Sequence, residues 1–159
     1  MNRKMLAGVL CPALCLIAPA LLAQKHPDFS GSWRFNPQKS TNVGMMAQME
    51  ITEALEQSDS ALDAKGHSVY QGKGGDSRMH YDLTGKPATN ESPMAGPSET
   101  VSKWDGAKLV TIWTSESAVA GGPKIVRKET RSLSPDGKTM IVESVRDSNP
   151  PVIMVFDKK

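Results

Sequence analysis

Beyond residue 23 the chain has no cysteine; its two, Cys11 and Cys15, both lie before that point. No disulfide and no thiolate metal centre can hold residues 24–159, so an apolar core has to suffice. Aromatics are few: three Trp, two Tyr and three Phe in 159 residues. Charge of one sign is also missing. There are 19 basic and 17 acidic side chains, and Arg3 and Lys4 account for the surplus, leaving residues 24–159 neutral. Binding to nucleic acid or to an anionic membrane by bulk charge needs clustered Lys and Arg, so both are disfavoured. The H-E-x-x-H and G-x-S-x-G patterns of zinc peptidases and serine hydrolases are absent. No catalytic residue, metal or cofactor is assigned, and a non-enzyme is expected.

What is there begins with Arg3-Lys4, an uncharged run from Met5 to Ala23, and then polar Gln24. That order is the layout of a secretory signal peptide, with Leu21 and Ala23, or Ala18 and Ala20, ahead of the cut. Pro12 and Pro19 break the helix that a membrane anchor would want. The expected division is a signal peptide over residues 1–23 and one domain over 24–159, exported to the periplasm or the cell exterior. Nothing would remain after cleavage to hold it in a membrane. The sequence does not give the oligomeric state.

Strand signals dominate this domain. Met49 to Glu56 alternates two faces, as do Arg78 to Leu83, and a short strand surrounds Trp33. Asp105-Gly106 joins Val101–Trp104 to Lys108–Thr114, a strong hairpin signal because both central positions of a type I′ turn need positive φ. Ser134-Pro135-Asp136-Gly137 joins Ile125–Leu133 to Thr139–Arg146, and Val152–Asp157 follows. Ala61–Tyr70 adds another. The segments Gln71–Ser77 and Thr84–Ser98, rich in Gly and Pro, read as loops, and Asn90-Glu91-Ser92 in the second is a glycosylation sequon. The fold expected is all-β, an antiparallel up-and-down barrel of about eight or nine strands, with a β-sandwich as the alternative. Ser134-Pro135-Asp136-Gly137-Lys138 also resembles a propeller turn, but it occurs once, and a propeller needs about four blades.

Phe29-Ser30-Gly31-Ser32-Trp33 resembles the Gly-x-Trp motif that opens the first strand of lipocalins and related calycins. Phe35-Asn36-Pro37-Gln38-Lys39-Ser40 and Lys128–Thr139 resemble segments of small secreted bacterial proteins with lipocalin-like domains. The resemblance implies a lipocalin-like barrel in which Gly31 and Trp33 close one end beneath a cation from a late strand. Arg146 and Lys158 are both candidates for that cation.

The aromatic residues are the most suggestive binding feature. Trp104, Trp113, Tyr81 and Tyr70 are the expected ligand-binding set, for a small, partly apolar ligand in the barrel. Such a binder predicts a cavity of roughly 300 Å3 or more lined by the tryptophans. Val110 and Ile112 oppose Leu109 and Trp113, and the pattern leaves open which face is inside. Arg127, Glu129 and Arg131 share one face of a polar strand; they are expected outside, guarding an edge, whereas inside they would suit an anionic ligand. Gly72-x-Gly74-Gly75 is followed by a strand pattern, so it does not read as a phosphate loop. Met45, Met46, Met49, Met79 and His80 carry soft donors that could take Cu(I), but methionine is more often a core gap-filler. His80 and Asp82, which could hold a metal with His67, read instead as a solvent-facing or lumen-facing polar pair. An envelope interaction module without a small ligand is the alternative function.

Overall fold

The computed structural model describes residues 26–92 and 96–159. The expected signal peptide lies outside the described residues. Ten strands follow one another: β1 (Gly31–Phe35), β2 (Glu50–Gln57), β3 (Ala61–Tyr70), β4 (Lys73–Asp82), β5 (Pro87–Ser92), β6 (Gly96–Asp105), β7 (Lys108–Ser115), β8 (Ile125–Leu133), β9 (Thr139–Arg146) and β10 (Val152–Lys158). Two 3-10 turns, Pro37–Lys39 and Gly44–Gln48, lie between β1 and β2. All ladders are antiparallel, in the order β4-β3-β2-β1-β10-β9-β8-β7-β6-β5. Every pair of consecutive strands is hydrogen-bonded except β4 and β5, which stand at the two edges of the sheet, and β1 also pairs with β10. The result is an up-and-down, nearly closed barrel whose seam lies between β4 and β5.

There are ten strands rather than eight or nine because Pro87–Ser92, expected as loop, is a strand paired with β6. Its apolar alternation is missing for a physical reason. The inward positions of this wall are polar and hydrogen-bonded instead: Asn90, Ser98, Thr100 and Ser102 are all buried. Ser102 Oγ and Thr111 Oγ1 lie 2.9 Å apart. The other expected loop, Gln71–Ser77, contracts to a turn at Gln71-Gly72, both with positive φ, and Gly74 and Gly75 are absorbed into β4.

Asn90 stitches the seam. Its Oδ1 accepts from the His80 amide at 2.7 Å, and its Nδ2 donates to the His80 carbonyl at 2.8 Å and to Thr100 Oγ1 at 2.8 Å. One side-chain amide thus replaces a rung where β4 and β5 do not pair. Asn90 is buried, with its amide engaged, so the sequon is closed to a glycosyl transferase in the folded protein.

The barrel is filled at one end. Phe29, Trp33, Leu62 and Met140 have 0% exposure there, and each large apolar side chain removed from water contributes about 1.5–3 kcal/mol. Trp33 Nε1 donates to the Phe29 carbonyl at 2.9 Å, which satisfies its only polar atom inside the core. Both hairpins read from sequence, at Asp105-Gly106 and at Ser134–Gly137, turn at this end. Lys158 Nζ sits 5.2 Å from the Trp33 ring centroid, a cation–π arrangement. Arg146 does not take that place. Trp33 is paired with Lys158, while Arg146 ends β9 opposite Arg127, at the far end of the barrel. Gly31 is required beneath Lys158: its φ is +134°, and a Cβ would stand 2.9 Å from Lys158 Cε.

Candidate functional site

Above the filled end, the interior holds a chamber of about 240 Å3. It is smaller than the roughly 300 Å3 expected of a binder, and one tryptophan lines it rather than three. Its position follows from strand register. Leu109, Thr111 and Trp113 of β7 face inward, while Val110 and Ile112 face out. Their partners on β8 are Arg131, Glu129 and Arg127, and directly paired residues share a face. The charged row therefore points into the barrel, not to solvent as expected from its composition. Glu129 and Arg131 are buried at 7% and 5% exposure.

Part of the chamber lining is soft and apolar: Met46, Met49, Ile51, Met79, Met154 and Phe156. The rest is polar or aromatic and includes Glu53, Tyr81, Trp113, Arg127, Glu129 and Arg131; Ile51 and Glu53 share one face of β2, as Met79 and Tyr81 share one face of β4. Tyr81 meets Trp113 edge-on, with centroids 5.9 Å apart, and the Arg131 guanidinium lies 5.4 Å from the Tyr81 ring. Arg131 Nη2 donates to Glu129 Oε1 at 3.2 Å, and Arg127 reaches the other Glu129 oxygen at 3.9 Å. Arg127 itself lies 4.6 Å over the Trp113 ring.

Three polar atoms of the lining are shielded from solvent and have no hydrogen-bond partner among the described residues: Glu53 Oε2, Trp113 Nε1 and Arg131 Nη1. Orphaned buried donors and acceptors are costly, by about 1–3 kcal/mol each, and in a cavity they point to a ligand group. Burial raises the Glu53 pKa; Arg131 opposes this and Glu129 reinforces it. Burial also raises that of Tyr81, helped by Glu129, which keeps it a phenol. For Arg131 burial works against the charge, but Tyr81, Glu53 and Glu129 outweigh it and hold the pKa above the usual guanidinium value.

The other expected ligand residues lie elsewhere. Tyr70 ends β3 at the open rim and does not border the chamber. Trp104 belongs to the filled end, stacked between His26, at 4.2 Å, and Phe29, at 6.0 Å. The soft-donor set is divided. Met46, Met49 and Met79 border the chamber, Met45 is solvent-exposed, and His80 is on the outer face with Nδ1 2.7 Å from Asp63. His67 pairs instead with Asp76, at 2.6 Å. Among the described residues no three His, Cys, Asp or Glu side chains form a metal cluster. The sequence reading places Glu53 on one strand face with Met49, Ile51 and Leu55 but gives it no part in a site, and it gives none to Met154. The signal for Glu53 was present: it shares a face with Ile51 and Leu55, a charge on the apolar side of an alternating strand.

No protein-family model matches the chain, and no curated protein matches it. Solved structures do. A variant of the fluorescent protein UnaG aligns with a TM-score of 0.63 at 12% identity, covering 82% of this chain and 96% of that one. Fatty-acid-binding protein 1 of Echinococcus granulosus aligns at 0.63 with 10% identity, over 82% and 96%. Lipid binding protein 8 of Caenorhabditis elegans aligns at 0.60 with 12% identity, over 82% and 95%. At such identities the likeness is one of fold: a calycin-type β-barrel.

Proposed function

We propose that this protein is an exported, non-catalytic binder of a small, partly apolar ligand held inside the barrel. The observation that carries the reading is a chamber bordered both by four methionines and by three orphaned polar atoms. An apolar body would lie against Met46, Met49, Met79 and Met154, whose flexible thioether chains adapt to shape. A polar group on the same molecule would accept from Arg131 Nη1 and Trp113 Nε1 and meet the Glu53 carboxyl. The likeness in fold to proteins titled as fatty-acid-binding or lipid-binding supports the same reading. The leader run from Met5 to Ala23 supports work outside the cytoplasm.

Native mass spectrometry of the protein isolated from its own compartment tests this. A small-molecule adduct that is lost on denaturation is expected. Bare protein that also fails to take up a ten-carbon alcohol contradicts the reading.

A further inference from the structure

The chamber does not end at Trp113. A second cavity, of about 360 Å3, lies at the open end of the barrel, and Trp113 and Arg127 border both. Their stacked pair forms the partition between an inner chamber and an outer vestibule. The vestibule is bordered by Ser98, Ser115 and Ser117, by Glu116, and by two arginines, Arg127 and Arg146.

Arg127 and Arg146 are direct cross-strand partners on β8 and β9. Two guanidiniums placed opposite one another destabilise a sheet unless something negative lies between or beside them. What is present is little. Glu129 reaches Arg127 at 3.9 Å but is hydrogen-bonded to Arg131. Asp147 lies 3.5 Å from Arg146 in a solvent-exposed pair, worth about 0–1 kcal/mol. Glu116, the one carboxylate bordering the vestibule among the described residues, has Lys124 at 3.3 Å. The vestibule therefore holds two opposed guanidinium forks and three hydroxyls with an excess of positive charge. Forked guanidiniums match the paired oxygens of carboxylates and phosphates.

We propose that the vestibule is an oxyanion subsite, binding a carboxylate or phosphate group between Arg127 and Arg146. This rests on the chamber reading and deepens it: the ligand is elongated, with an apolar body in the inner chamber and an anionic group at the mouth. Trp113 and Arg127 stand where the two parts join.

The test compares three ten-carbon probes by isothermal titration calorimetry: an α,ω-diol, the corresponding ω-hydroxy carboxylate and the ω-hydroxy alkyl phosphate. Each is titrated into the protein and into Arg146→Glu. Arg146 borders only the vestibule and is solvent-exposed, so this variant leaves the inner chamber intact. At least one anionic probe is expected to bind about tenfold or more tightly than the diol, the scale of one charge-assisted hydrogen bond. Arg146→Glu should abolish that advantage and leave diol affinity unchanged. Whether the carboxylate or the phosphate gains more identifies the group the subsite prefers. Anionic probes that bind no better than the diol, or whose advantage survives Arg146→Glu, overturn the subsite. A diol that does not bind, beside an anionic probe that binds and is lost in Arg146→Glu, overturns the chamber reading and leaves the subsite standing.

Discussion

The Asn90 carboxamide takes both backbone groups of His80, the amide at 2.7 Å and the carbonyl at 2.8 Å, and so joins β4 to β5 where no ladder does. A barrel with an unstitched seam would present two strand edges, each able to pair with another chain. Asn90→Ala leaves the His80 groups and Thr100 Oγ1 short of a partner. The expected loss is about 1–3 kcal/mol in urea unfolding, with faster amide exchange at His80. Unchanged exchange at His80 would mean that the seam does not depend on this residue.

Glu53 makes stability depend on pH in the direction opposite to most carboxylates. Burial raises its pKa in the folded protein above the ordinary carboxylate range, against the pull of Arg131. The folded state then binds the proton more tightly than the unfolded state, so stability falls as pH rises from the unfolded pKa through the folded one. Glu53→Gln keeps the shape and removes the titration. It should raise the melting temperature above that window and have little effect below about pH 4, where both states are protonated. Equal shifts at acid and neutral pH would refute the assignment.

Gly31 and Lys158 test the filled end. Gly31→Ala meets both a φ of +134° and the Lys158 side chain, with an expected cost of about 1–3 kcal/mol. Lys158→Ala in the same background relieves the contact but not the backbone, so rescue should be partial at most. Thermal melts followed by tryptophan fluorescence measure both. Full rescue would place the cost in the side-chain contact alone.

Much of this architecture was legible because turn chemistry is local. Asp105-Gly106 and Ser134–Gly137 both mark hairpins, with positive φ at Gly106 and Gly137, but Asp105 does not take the positive φ of a type I′ turn: it pairs with Lys108, and the two loop residues are Gly106 and Ala107. Trp33 is fully buried, and Gly31 stands against the Lys158 side chain. The tenth strand, β5, was not legible, since its buried inward residue is the polar Asn90, which erases the alternation that marks a half-buried strand. Which face of β8 is buried was also undecidable within that strand. Arg127, Glu129 and Arg131 look like a solvated edge until Leu109 and Trp113 are placed beside them by register. The choice between Lys158 and Arg146 needed the knowledge that β10, not β9, pairs with β1.

That the inner chamber receives the apolar body of a ligand is tested most directly by methyl NMR of protein labelled at methionine, titrated with a ten-carbon alcohol. The methyls of Met46, Met49, Met79 and Met154, which border the chamber, should shift together and saturably. That of Met140, sealed in the filled end at 0% exposure, should stay in place. Shifts confined to Met45, which is exposed, or no shifts at any of the four, would contradict an interior site.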